Sequence, residues 1–136
     1  MRNFVKSVNV MIGSNTFSIL VVDDSMEYRE ILSNTLRSQG HDVVSASSGN
    51  EALALLNKHV VDLVISDLQM PDGDGFWLLS KIRERSLALP VLLVSGHSSM
   101  TEERAKLAGA IGFVAKPFQI EALLTYLNTV FIQIGV

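Results

Sequence analysis

Five polar positions follow short apolar runs: the pair Asp23 and Asp24, then Asp67, Ser95, and Lys116 with Pro117. The runs are residues 19–22, 63–66, 91–94 and 112–115. Three carboxylates, a hydroxyl and an amine on one edge of a sheet have the chemistry of a metal-assisted phosphoryl acceptor. A carboxylate oxygen can attack phosphorus, clustered carboxylates suit a hard divalent cation, and the amine and hydroxyl can meet the charge on phosphoryl oxygens. The gathering requires the runs to be parallel strands. Their continuous rather than alternating apolarity suits strands covered on both faces.

The intervening segments have the pattern such strands need. Met26, Tyr28, Ile31, Leu32 and Leu36 recur at helical spacing until Gly40, and residues 42–46 read as a short strand. Ser48 and Glu51 have the spacing of a capping box opening the next helix, whose apolar side is Ala52, Leu53, Leu55 and Leu56. Asp74 or Gly75 begins a helix carrying Phe76, Leu79 and Ile82, and Pro90 ends that segment. Ser99 and Glu102 repeat the capping-box spacing before a short helix stopped by Gly109. Ile120, Leu123, Leu124, Leu127, Phe131 and Ile134 form a final helical stripe. Repeated strand-helix units with right-handed crossovers predict an α/β fold, a doubly wound parallel sheet with helices on both faces.

With 136 residues the chain fits one domain. It has no cysteine, which excludes disulfides and thiolate metal sites and permits a reducing compartment. A formal charge of −3 offers no broad basic surface, so no direct nucleic-acid binding is expected. Residues 1–16 are mildly apolar through Phe4, Val5, Val8, Val10, Met11 and Ile12, but Lys6 interrupts them. Nothing there approaches the roughly 18 apolar residues of a membrane span, and the segment is read as a flexible N-terminal extension. Residues 17–136 form the domain proper.

Phe17 to Asp24, Asp67 to Gly75, Val94-Ser-Gly96 and Lys116-Pro-Phe118 together resemble, in order and spacing, the signature blocks of the response regulator receiver domain of two-component signalling. The resemblance implies a five-stranded sheet in the flavodoxin-like order 2-1-3-4-5, with the site where the order reverses, between strands one and three. It makes Asp67 the phosphoacceptor. Asp24, Asp67 and the backbone carbonyl of Gln69 would hold Mg²⁺ or Mn²⁺, with Asp23 acting through a bound water. Lys116 would offer a point charge to the phosphoryl group and Ser95 a hydroxyl hydrogen bond. Phe113 occupies the switch-aromatic position, and a cis peptide joins Lys116 to Pro117. Gln69 and His97, each two residues beyond a site residue, correspond to positions that tune the lifetime of the phosphorylated state.

As a receiver the chain would be a cytoplasmic signalling switch rather than an enzyme, its only turnover being self-phosphorylation and autodephosphorylation. The donor would be a histidine kinase or histidine phosphotransfer protein. A downstream protein effector would bind the face made by the helix near Ser99, the last strand and the terminal helix, with neither membrane nor DNA contact. The apolar tail of Phe131, Ile132, Ile134 and Val136 raises the prospect of a homodimer. A haloacid-dehalogenase-like phosphatase also uses an aspartyl nucleophile after a strand, but wants a second acid two residues on, where Gln69 stands. A receiver serving only as scaffold or phosphate sink is the other alternative. Asp72-Gly-Asp74-Gly75 reads as turn and cap, because a calcium loop would need an oxygen ligand at Phe76. His41 and His59 are expected to be exposed near element ends, and Trp77 to lie partly exposed beside the site loop.

Overall fold

The computed structural model describes residues 16–86, 88–96 and 100–135. The expectations for residues 1–15, His97, Ser99 and Val136 therefore lie outside the described residues. Five strands alternate with five helices: β1 Ser18–Val22, α1 Met26–Ser38, β2 Asp42–Ala46, α2 Gly49–Leu56, β3 Leu63–Asp67, α3 Gly75–Arg85, β4 Val91–Ser95, α4 Glu102–Leu107, β5 Gly112–Ala115 and α5 Ile120–Gly135. All pairings are parallel, and the strand order is β2-β1-β3-β4-β5.

Successive residues of a strand point to opposite faces, so a run apolar at every position feeds two cores. On β1, Leu20 and Val22 join the core under α2, α3 and α4 with Ala52, Leu78, Leu79 and Ala105. Ile19 and Val21 join the other, under α1 and α5, with Leu36, Leu123 and Leu127. Leu127 is fully buried. Leu127→Ala is expected to lower stability by about 3 kcal/mol, read as a reduced urea midpoint at unchanged slope.

Helix starts follow from side-chain caps. Ser25, Ser48, Asp74 and Thr101 each accept a hydrogen bond from the N–H three residues on, at 3.4, 3.1, 2.8 and 3.1 Å. The cap of α4 is thus Thr101, with its helix beginning at Glu102, rather than the expected Ser99. The capping box of α2 closes one residue early: Glu51 accepts from the N–H of Ser47 at 2.7 Å, and these bonds to Ser47 hold its carboxyl below the ordinary range. Gly40 and Gly109 follow their helices at φ +94° and +103°, a region costly for residues with a Cβ.

Several side chains depart from the expected stripes. His41 is buried, not exposed: its Nδ1 accepts from the N–H of Phe17 at 3.0 Å, and its ring packs against those of Phe17 and Phe131, which stack on each other. The cause is its place at the start of β2, where α5 ends over the sheet. His59 is exposed as expected. Met26, Ile31 and Phe76 point outward, while Leu78 takes an inward position on α3. In the apolar tail, Phe131 and Ile134 pack on the domain's own second core, leaving Ile132 exposed.

Candidate functional site

The carboxyl ends of β1 and β3 are adjacent, Val22 pairing with Ser66, so Asp23 and Asp67 emerge side by side. Asp23 extends the ladder by donating its N–H to Ala46 O at 3.1 Å. Its Oδ1 accepts from the Ser25 N–H at 2.9 Å, and its carbonyl accepts from Arg29 Nη1 at 2.7 Å. Asp23 and Asp67 are buried, whereas Asp24 is exposed. Each of the three offers one carboxylate oxygen, all lying within 4.8 Å of one another.

Lys116, after β5, reaches back into this cluster. Its Nζ donates to Asp23 Oδ2 at 2.7 Å, lies 3.5 Å from Asp67 Oδ2, and sits 4.1 Å from the centroid of the Tyr28 ring. The peptide between Lys116 and Pro117 is cis. Burial, then the neighbouring Asp23 charge, raises the Asp67 carboxyl above its ordinary range, with Lys116 opposing them. Removing the ammonium would leave two buried acids face to face. Lys116→Met is expected to cost about 2–3 kcal/mol in metal-free buffer, with much of the loss recovered in Mg²⁺, as thermal melts with and without the ion would show.

The loop after β3 is held firmly. Leu68 N–H donates to Val94 O at 2.8 Å and Gly75 N–H to Leu68 O at 2.9 Å. The start of α2 grips its far side: Gly49 N–H donates to Gly73 O at 2.9 Å, and Asn50 Nδ2 to Asp72 Oδ1 at 2.8 Å. Asp72 and Gly73 have φ of 58° and 97°, and Asp74 caps α3, which makes the stretch the turn and cap the sequence suggested. Gln69 is exposed on this loop, and Trp77 is half-buried behind it, packed against Gly73. Ser95 ends β4, fully buried, its carbonyl accepting from the Lys116 N–H at 2.8 Å. Phe113, opposite Leu93 in register, is half-buried against the core beneath α4. Beyond it, Tyr126 of α5 donates its hydroxyl to Glu102 of α4 at 3.0 Å, and burial first, then that carboxylate, raises the Tyr126 hydroxyl above its ordinary range.

The expected residues 23, 24, 67 and 116 thus meet in one place; Ser95 ends the neighbouring strand, Gln69 stands exposed two residues beyond Asp67, and Phe113 packs on the core beneath α4. Tyr28, Arg29 and Phe118 were not expected at the site. Tyr28 stands four residues after Asp24, and helical side chains lean toward the N-terminus, which carries its ring back to the Lys116 ammonium.

Comparison with known proteins decides the family. The model of the response regulator receiver domain matches residues 19–128. The chain belongs to the response regulator receiver domain family. This receiver is 39% identical over 106 residues to the transcriptional regulatory protein GlrR of Escherichia coli (strain K12), covering 77% of the chain and 24% of GlrR. It is 41% identical over 107 residues to the response regulator protein FleR of Pseudomonas aeruginosa, covering 78% of the chain and 23% of FleR. The chain thus spans about a quarter of these curated relatives. Among solved structures, the receiver superposes on the chemotaxis response regulator CheY4 of Vibrio cholerae with TM-score 0.77 and 36% identity, over 85% of this chain and 99% of that one. Among the described residues of the receiver, no helix is long and apolar enough to cross a membrane.

Proposed function

We propose that this receiver is a phosphorylation-dependent switch in a two-component phosphorelay, with Asp67 accepting the phosphoryl group from a histidine kinase or histidine phosphotransfer protein. The observation that carries the reading is the convergence of the three carboxylates with the Lys116 ammonium at one strand-end edge. An Asp67 oxygen forms the new bond to phosphorus as the nitrogen–phosphorus bond of the donor breaks. The leaving imidazole keeps that electron pair and takes up a proton from solvent.

The all-oxygen donor set suits Mg²⁺ or Mn²⁺: Asp24 and Asp67 with the Gln69 carbonyl would hold the ion directly and Asp23 through water. When bound, the ion supplies positive charge that offsets repulsion between the acids and an anionic phosphoryl group. Lys116 holds a fixed charge beside the accepting oxygen. Ser95 offers its hydroxyl to the phosphoryl oxygens, and its inward shift lets Phe113 turn inward and alters the face formed by α4, β5 and α5. A downstream protein effector reads that face, in the cytoplasm and without direct nucleic-acid contact.

Gln69 and His97 set the lifetime of the acyl phosphate. An unchanged rate of phosphoryl loss in His97→Ala would remove His97 from that role. Turnover stays confined to the receiver's own acyl phosphate, because the position two beyond Asp67 is Gln69, not the acid a haloacid-dehalogenase-like phosphatase wants. Incubation with acetyl phosphate and Mg²⁺ should add one phosphoryl group by intact-mass spectrometry. No mass gain by the wild type would overturn the reading, and phosphomonoester turnover would favour the phosphatase.

A further inference from the structure

We propose that Tyr28 is a positioning residue for phosphoryl transfer, its aromatic face holding the Lys116 ammonium beside the accepting carboxylate of Asp67. The proposal rests on the phosphoryl-acceptor reading of Asp67. Lys116 Nζ lies 4.1 Å from the Tyr28 ring centroid, well inside the ~6 Å over which a cation is drawn to the face of an aromatic ring. Its side chain is only 13% exposed, so water competes weakly for the ammonium. Among the described residues the ammonium contacts Asp23 and Asp67 of the acidic cluster and the uncharged ring of Tyr28. The ring is therefore the contact that persists when the carboxylates are engaged elsewhere.

The ring is itself held in place. Tyr28 lies in the first turn of α1, whose cap Ser25 accepts its backbone N–H at 3.4 Å. Its ring packs on Phe118 at 5.7 Å between centroids, and Phe118 stands two residues after Lys116. Beneath the carboxylates, the space bounded by Asp23, Tyr28, Asp67 and Phe118 is a cavity of only about 10 Å³. That is at most about one water in size, so little solvent fits between the Tyr28 ring and the two buried acids. The Tyr28–Phe118 contact joins α1 to the β5–α5 connection and fixes the ring over which the flexible lysine ends. An unguided lysine of four rotatable carbons would have to be ordered anew at each transfer.

Substitution at 28 separates ring face, hydroxyl and bulk. Tyr28→Phe keeps the face and should phosphorylate at the wild-type rate with acetyl phosphate and Mg²⁺. Tyr28→Leu keeps apolar bulk without the face and should be about tenfold slower, the equivalent of ~1.4 kcal/mol. By NMR, the Lys116 ε-methylene protons should be shifted upfield by the ring current in wild type and Tyr28→Phe, and return to ordinary lysine positions in Tyr28→Leu. If Tyr28→Leu lowers the melting midpoint, Tyr28→Met takes its place as a flexible side chain of similar reach. An unshifted Lys116 resonance in the wild type overturns the proposal. So does a folded Leu or Met variant phosphorylating within twofold of wild type, or a Phe variant as slow as Leu. Failure of the wild type to accept a phosphoryl group, with the ring-current shift present, would instead overturn the reading of Asp67 and leave the ring contact standing.

Discussion

Asp67→Asn is expected to abolish phosphoryl incorporation and, in metal-free buffer, to make the protein more stable than the wild type. The first effect follows because an amide oxygen lacks the charge and nucleophilicity of a carboxylate. The second follows from crowding: Asp67 is buried beside Asp23, and both burial and that neighbour raise its carboxyl above the ordinary range while Lys116 compensates only in part. An acid raised by folding binds its proton more tightly in the folded state, so ionising it costs stability. That penalty is absent below the unfolded value near pH ~4, grows as pH rises toward the raised folded value, and is constant above it. The variant should match the wild type in acid and exceed it by about 1–2 kcal/mol at neutral pH, roughly 5 °C in melting midpoint. With Mg²⁺ the gap should close or invert, since the variant lacks one of the three carboxylates. A neutral-pH midpoint below the wild type in metal-free buffer would show that Asp67 is a net stabilising charge.

Gly75→Ala should produce the second large effect, through sterics alone. A Cβ at Gly75 would stand 2.5 Å from the Asp67 carbonyl oxygen and 2.9 Å from Leu68 Cα. Both are backbone atoms, and Leu68 is tied to Val94 by a 2.8 Å hydrogen bond, so relief must come from moving α3 or the acceptor strand. A loss of about 3 kcal/mol is expected by urea unfolding, with weaker Mg²⁺ binding as followed by Trp77 fluorescence. Gly96→Ala is the matched control. Its Cβ would come no nearer than 3.8 Å to Lys116 Cβ, and stability should hold within about 0.5 kcal/mol. Equal losses from the two substitutions would refute the steric account.

The strand ends and the acids on them are legible in sequence because a buried parallel strand is apolar at every position, so a charge marks where it stops. Helix faces are less legible. Met26, Ile31 and Phe76 fit the helical period yet point outward, because spacing locates a stripe without saying where the neighbouring element ends. His41 misleads for a related reason: a histidine at a strand start is ordinarily at the surface, and only the return of α5 over the sheet brings Phe131 against it. Thr101 and Ser99 are equally good caps by type, so spacing alone could not assign the role that Thr101 takes by accepting the Arg104 N–H. At the site, sequence identifies the charges but not their partners. Lys116 pairing with Asp23, and the ring of Tyr28 beneath it, arise from the approach of α1 to the segment after β5.

The grip of α2 on the loop carrying Asp72 and Gly73 gives the pocket one fixed jaw. On the proposed phosphorylation of Asp67, that side would yield little, because backbone bonds from Gly49 and Gly75 already close the loop. Movement would instead be expected at the opposite jaw, the strand ends at Ser95 and Lys116, where the Lys116 N–H donates to the Ser95 carbonyl. On that reading the domain would work as a rectifier: an event at Asp67 would be sent toward one flank, with the other a rigid reference against which the movement is measured.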